Sequence, residues 1–208
     1  MYVPSAFRAE DLASVQRILR EARLCNLITA TASGLLCTPL PVLLEAGEGP
    51  HGTLYGHVAR GNPHWRAAAQ GEALALFMGA DAYISPSWYA SKQQDHRVVP
   101  TWNYEAVHAY GPVEFFQEPE RLLEIVRRLT DRHEQGRPQP WSVDDAPADY
   151  IAAQLKAIVG VRLPITRLEG KRKLSQNRSI EDRIGVIAGL SASPEPNDQA
   201  MAALISKD

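Results

Sequence analysis

Apolar residues recur at helical spacing over residues 10–23, where Leu12, Val15, Ile18, Leu19 and Ala22 form one stripe opposite a charged face. The pattern then shortens to that of strands. Residues 25–31 are apolar and β-branched and end at the turn Ser33-Gly34. Residues 35–44 form a second run broken by Pro39 and Pro41, whose missing N–H groups suit an edge strand or one facing something other than a neighbour. Further strands are predicted over 53–58, 72–78, 82–84, 105–116 and 159–168. Between them Asn62-Pro63 reads as a helix cap before a short helix over 63–70. Helices are predicted over 119–134, 150–158, 179–190 and 199–205, and residues 85–103 read as an irregular, aromatic stretch. Clustered strands with helices at the ends and in one insert give an α+β domain over 1–208, with a helical insert at 119–158 and a helical tail at 179–208.

Composition changes this picture little. The 208 residues are 45% hydrophobic and 22% charged, with 22 basic and 24 acidic side chains and a net charge of −2, so the chain lacks the basic excess of a dedicated nucleic-acid binder. Cys25 and Cys37 lie outside any CxxC and read as small apolar residues in strands. The opening Met1-Tyr2-Val3-Pro4 has neither a basic start nor an apolar leader core, and no run approaches membrane-spanning length, so the expected location is the cytoplasm. The six histidines show no metal-ligand spacing, and GxGxxG, GxxxxGK[ST] and GxSxG are absent.

Three constellations can carry chemistry. The first is Gly56-His57-Val58-Ala59-Arg60-Gly61-Asn62-Pro63, where a strand turns into a helix start beside an arginine and a histidine. This is either an anion site or a plain junction with a solvated arginine. The second places Trp88, Tyr89, Trp102 and Tyr104 among Ser87, Lys92, Thr101 and Asn103, as a pocket for a flat ring or as packing under a loop. The third, Lys171-Arg172-Lys173-Leu174-Ser175-Gln176-Asn177-Arg178, can grip phosphate or lie solvated.

Together these segments resemble the PaiB-type family of FMN-binding split-barrel proteins. The resemblance rests on Tyr83-Ile84-Ser85-Pro86-Ser87-Trp88-Tyr89, Val99-Pro100-Thr101-Trp102-Asn103-Tyr104 and Lys173-Leu174-Ser175-Gln176-Asn177-Arg178, with Gly56-His57-Val58-Ala59 and Asn62-Pro63. It implies a split β-barrel like that of pyridoxamine-phosphate oxidases, with flanking helices, working as a homodimer with FMN at the subunit interface. It implies phosphate contacts at His57, Val58, Arg60 and Asn62 and a flavin ring along Thr38, Pro39 and Leu40. Trp88, Lys92, Trp102, Asn103, Lys173 and Gln176 complete the candidate cofactor set, and no catalytic residue is assigned. The implied role is a flavin-linked negative transcriptional regulator, acting on DNA directly or through another regulator. The alternative is a flavin-dependent oxidoreductase; a haem pocket with His57 and His108 as axial candidates ranks below both. Leu40 and Pro41 depart from the oxidases of this fold, which carry a basic pair on that strand.

Overall fold

The computed structural model describes residues 1–9 and 11–206, so the predicted helix start at Glu10 and the last two residues of the tail lie outside the described residues. The elements are α1 (Leu12–Glu21), β1 (Cys25–Thr31), β2 (Gly34–Leu40), β3 (Val42–Glu45), β4 (Thr53–Ala59), β5 (Ala73–Ile84), α2 (Lys92–Asp95), β6 (Thr101–Gly111), β7 (Glu114–Phe116), α3 (Pro119–Glu134), α4 (Ala148–Leu155), β8 (Ile158–Pro164), β9 (Arg167–Lys173), α5 (Ile180–Ser191) and α6 (Pro196–Leu204). The helical insert expected over 119–158 consists of α3 and α4, and the tail of α5 and α6.

Two sheets form, with strand orders β2-β1-β5-β6-β9 and β3-β4-β8-β7. Neither closes on itself, so the expected split β-barrel is not what the chain builds: the fold is α+β with two open sheets. The reason is visible where β2 ends. Closure needs an unbroken ladder of strand pairing. Here the chain leaves one sheet at Leu40 and enters the other at Val42, and Pro41 between them has no N–H to give to either ladder. The run predicted over 35–44 is therefore two strands. Each ends a sheet, in keeping with the edge position that its prolines imply.

The described residues divide into two compact units. One comprises Leu19–Phe77 and His108–Leu168. Within it β1 pairs with β2 from Cys25 opposite Leu40 to Thr31 opposite Gly34, and β4 pairs along its whole length with β8. Its apolar interior includes Cys25, Leu27, Leu40, Val42, Leu54, Val161 and Leu163, all buried. Burial pushes the Cys25 thiol up to about 12, so it packs as an apolar group. The stripe Leu122, Ile125 and Leu129 of α3 buries against Leu43, Phe116 and Leu155.

The other unit comprises Met1–Ile18, Met78–Val107 and Glu169–Asp208. Its core joins Ala82 and Ile84 of β5 and Tyr89 to Val186 and Leu190 of α5 and Met201, Ala202 and Ile205 in and after α6. Ser179 caps α5 by accepting a hydrogen bond from the backbone N–H of Asp182.

Candidate functional site

Seven of the candidate cofactor residues fall in the first unit. The helix expected over 63–70 is a single 3-10 turn, Pro63–Arg66, too short to build a helix dipole. Its first free N–H, on His64, is already taken by Asn62 Oδ1 at 2.9 Å. The turn instead folds around His64, which is 2% exposed. His64 Nε2 lies 2.8 Å from Thr29 Oγ1 and Nδ1 lies 2.8 Å from Thr38 Oγ1, while Asn62 Nδ2 donates to the same Thr38 oxygen at 3.1 Å. With Asn62 donating to it, Thr38 can give its own proton to Nδ1, which places the ring proton on Nε2. Burial holds this imidazole below its ordinary pKa. Thr38 and Asn62 are thus brought together, by a histidine that the sequence reading did not single out. The available signal was the Asn62-Pro63 cap, which fixes His64 at the second position of the turn.

Arg60 is partly engaged. Its Nε donates to the Lys156 carbonyl, Nη1 to Gln117 Oε1 at 2.5 Å and Nη2 to the Ile158 carbonyl at 3.2 Å. Three of the five guanidinium N–H groups are therefore used and two remain. His57 on β4 is half-buried, and its Nδ1 is buried with no hydrogen-bond partner among the described residues. Burial lowers its pKa, so the ring is neutral at neutral pH. Val58 and Leu40 are buried core residues, 4% and 2% exposed, which leaves only their backbones for a ligand. Pro39 sits exposed on the end strand β2.

The other six candidates fall in the second unit. Trp88 packs against α5: a Cβ on Gly185 would meet the Trp88 carbonyl at 2.0 Å, and one on Gly189 would meet the indole ring at 2.4 Å. Lys92 begins α2, an exposed turn, and reaches Ser87 Oγ only at 3.5 Å. Asn103, 1% exposed, donates through Nδ2 to Ser175 Oγ at 2.9 Å, while its Oδ1 is buried without a partner. Lys173 donates to Thr101 Oγ1 and to the Trp102 carbonyl at 2.5 Å. Burial, helped by the charges of Lys171 and Arg178, pulls its pKa down. Gln176 closes its own turn, accepting from Leu174 N at 2.7 Å and donating to the Arg172 carbonyl at 2.6 Å. The basic run expected as a loop is thus strand β9 followed by this turn.

Two further charged groups in this unit have partners that the sequence does not show. Glu105, 2% exposed, accepts from Arg17 at 2.8 Å and from Arg172 at 2.7 Å on the same oxygen. Asp182, 3% exposed, holds Ser91. Both partnerships span more than sixty residues, so neither leaves a local spacing to find.

Comparison with known proteins gives the family. The family model described as "Putative FMN-binding domain" matches residues 1–167. The chain is 32% identical over 206 residues to the Bacillus subtilis "Protease synthase and sporulation protein PAI 2", covering 99% of this chain and 96% of that one. Among solved structures, the fold is similar to that of the flavocytochrome Anf3 from Azotobacter vinelandii, at 17% identity and a TM-score of 0.57, over 96% of this chain and 76% of that one. It is also similar to the FAD and heme binding protein from Mycobacterium smegmatis, at 15% identity and a TM-score of 0.56, over 80% of this chain and 73% of that one. FMN is the cofactor that the family match assigns, and the donors at hand fit its phosphate. The buried, partnerless His57 Nδ1 and the two remaining Arg60 N–H groups are what an anionic ligand would satisfy.

Proposed function

The chain belongs to the PaiB-type family of putative FMN-binding domains, and from that premise we propose that it is a flavin-dependent oxidoreductase. The observation that carries the reading is the unanswered ring nitrogen of His57 on β4, a strand that Arg60 directly follows. Bound FMN supplies the electron-transfer chemistry, and the chain supplies binding and orientation. In this reading the neutral His57 gives or takes a hydrogen bond at the phosphate, and Arg60 supplies the positive charge. The Asn62–Thr38–His64 network holds the turn in place, so that these donors cost no reorganisation on binding. Both solved proteins named above carry redox groups in their names, which favours electron transfer over gene control. The working unit in this reading is a homodimer, for which sedimentation equilibrium should give the mass of two chains.

Titration with FMN, followed by flavin absorbance, tests the proposal. Saturable binding of one FMN per chain is expected, weakened about tenfold or more in His57→Ala and in Arg60→Ala. Flavin-dependent NAD(P)H oxidation is the expected activity. A Soret band on reconstitution with haem, in place of flavin binding, would reassign the pocket.

The regulatory reading keeps one specific support, the 32% identity to a protein named for sporulation. Its candidate DNA contacts are Lys171, Lys173 and Arg178, because Arg172 is engaged by Glu105. Flavin bound without any electron transfer, together with salt-sensitive retention of DNA lost on changing these residues, would favour it.

A further inference from the structure

Strands β6 and β9 are neighbours in their sheet, and residues two apart on a strand share a face. Lys171 and Lys173 thus stand on one face of β9, and Trp102 and Tyr104 on one face of β6. Contacts tie the two sets together. The Lys171 ammonium lies 5.0 Å from the Tyr104 ring centre and 5.8 Å from that of Tyr2, and Lys173 donates to the Trp102 carbonyl. The Trp102 indole meets the Tyr83 ring edge-on at 6.0 Å. These rings are open to solvent: Tyr2 is 83% exposed, Trp102 54% and Tyr83 47%.

Lys171 is only 8% exposed, yet among the described residues its ammonium reaches no carboxylate, carbonyl or hydroxyl. Lysines buried to this degree are almost always paired, because attraction to ring faces offsets only part of the lost hydration. Among the described residues Lys173 contacts no carboxylate either, and Arg178, the third cation near it, lies over the Tyr89 ring. The face therefore combines exposed aromatic surface with uncompensated positive charge.

We propose that this face binds a planar aromatic carboxylate, with its ring against Trp102 and Tyr83 and its carboxylate answered by Lys171 and the remaining N–H of Lys173. The ammonium of Lys171 is hemmed in by two rings, so it can be reached by one small oxygen more readily than by a tetrahedral phosphate. The two lysines are point donors without the forked geometry that suits phosphate. Trp102 and Lys173 also belong to the candidate cofactor set, so FMN is one of the comparison probes; nothing in the flavin site of the first unit enters the proposal.

Calorimetric titration of the full chain with 2-naphthoate tests it, with benzoate, 2-naphthamide, inorganic phosphate and FMN as comparison probes. The expected result is one 2-naphthoate per chain, held more tightly than benzoate because it covers more ring, with 2-naphthamide at least about tenfold weaker. Lys171→Met should weaken 2-naphthoate about tenfold or more, with an unchanged circular dichroism spectrum. Trp102→Ala, at an exposed position, should also weaken it and keeps the test intact if Lys171→Met fails to fold. Equal binding of naphthoate and naphthamide, or insensitivity to Trp102→Ala, would overturn the proposal. So would one-for-one displacement of 2-naphthoate by FMN or by phosphate, which would make this face a phosphate or cofactor site. Loss of FMN binding in His57→Ala with naphthoate binding intact would show that the two readings stand apart.

Discussion

The backbone N–H and the hydroxyl of Ser91 both end on the Asp182 carboxylate, one on each oxygen and each at 2.8 Å. This fastens the start of the exposed segment around α2 to the first turn of α5. Asp182→Ala leaves a part-buried N–H and hydroxyl of Ser91 unanswered, and should lower stability by about 1–3 kcal/mol in urea unfolding. Ser91→Ala, which keeps the backbone bond, should cost about 1 kcal/mol. Trypsin should cut after Lys92 and Arg97 faster in Asp182→Ala than in the parent chain.

The Glu105 carboxylate, its side chain 3% exposed, is shared by Arg17 and Arg172. Glu105→Gln removes the charge that both guanidinium groups share, and should cost about 1–3 kcal/mol by urea unfolding. The triple change Arg17→Met, Glu105→Leu, Arg172→Met removes all the charges together. It should recover most of that loss, since a buried ion pair contributes less than its breaking suggests.

The Trp88 carbonyl fills the space where Gly185 carries no side chain, and the Trp88 indole fills the space at Gly189. Alanine usually stabilises a helix interior relative to glycine by about 1 kcal/mol. At Gly189 the added methyl would sit 2.4 Å from the ring, so the sign reverses. Gly189→Ala should lower the melting temperature, with a net cost of about 1–3 kcal/mol. Trp88→Ala combined with Gly189→Ala should show a smaller loss than the two separate losses added together.

His64 and His57 are both held below their ordinary pKa of 6.5 by burial. The fold prefers the neutral rings, so the unfolded chain takes up protons first as pH falls. The stability contributed by this preference is complete above about pH 6.5 and is lost as pH falls towards the folded values. Unfolding free energy should therefore drop between about pH 7 and 5, and the drop should be shallower in His64→Gln. An unchanged slope in that variant would remove His64 as the cause.

Elements whose pattern depends on their own residues were legible in the sequence. The strand Cys25–Thr31 and the helix Pro119–Glu134 fall where alternation and an opening proline put them. What the sequence hid depends on distant partners. Strand β9 reads as a basic run, because Arg172 is matched by Glu105 and Lys171 packs on the Tyr104 ring, both on another strand. Strand β5 reads as two pieces, because Gly79 interrupts the alternation; a Cβ there would meet Glu105 Cβ at 2.9 Å. Closure into a barrel was inferred from family resemblance, and the two open sheets show that this chain does not close one. The cofactor came from the same resemblance and agrees with the family match, while His64 could not be placed until Thr29 and Thr38 were seen beside it.

Strand β2 ends its sheet with Leu35 76% exposed, a profile that ordinarily invites other chains to add strand upon strand. Pro39 caps that hazard. It offers no amide hydrogen, so an incoming strand finds an interrupted template only a few residues long. The same residue that makes β2 an awkward strand thus works as a guard against fibril growth in a crowded cell.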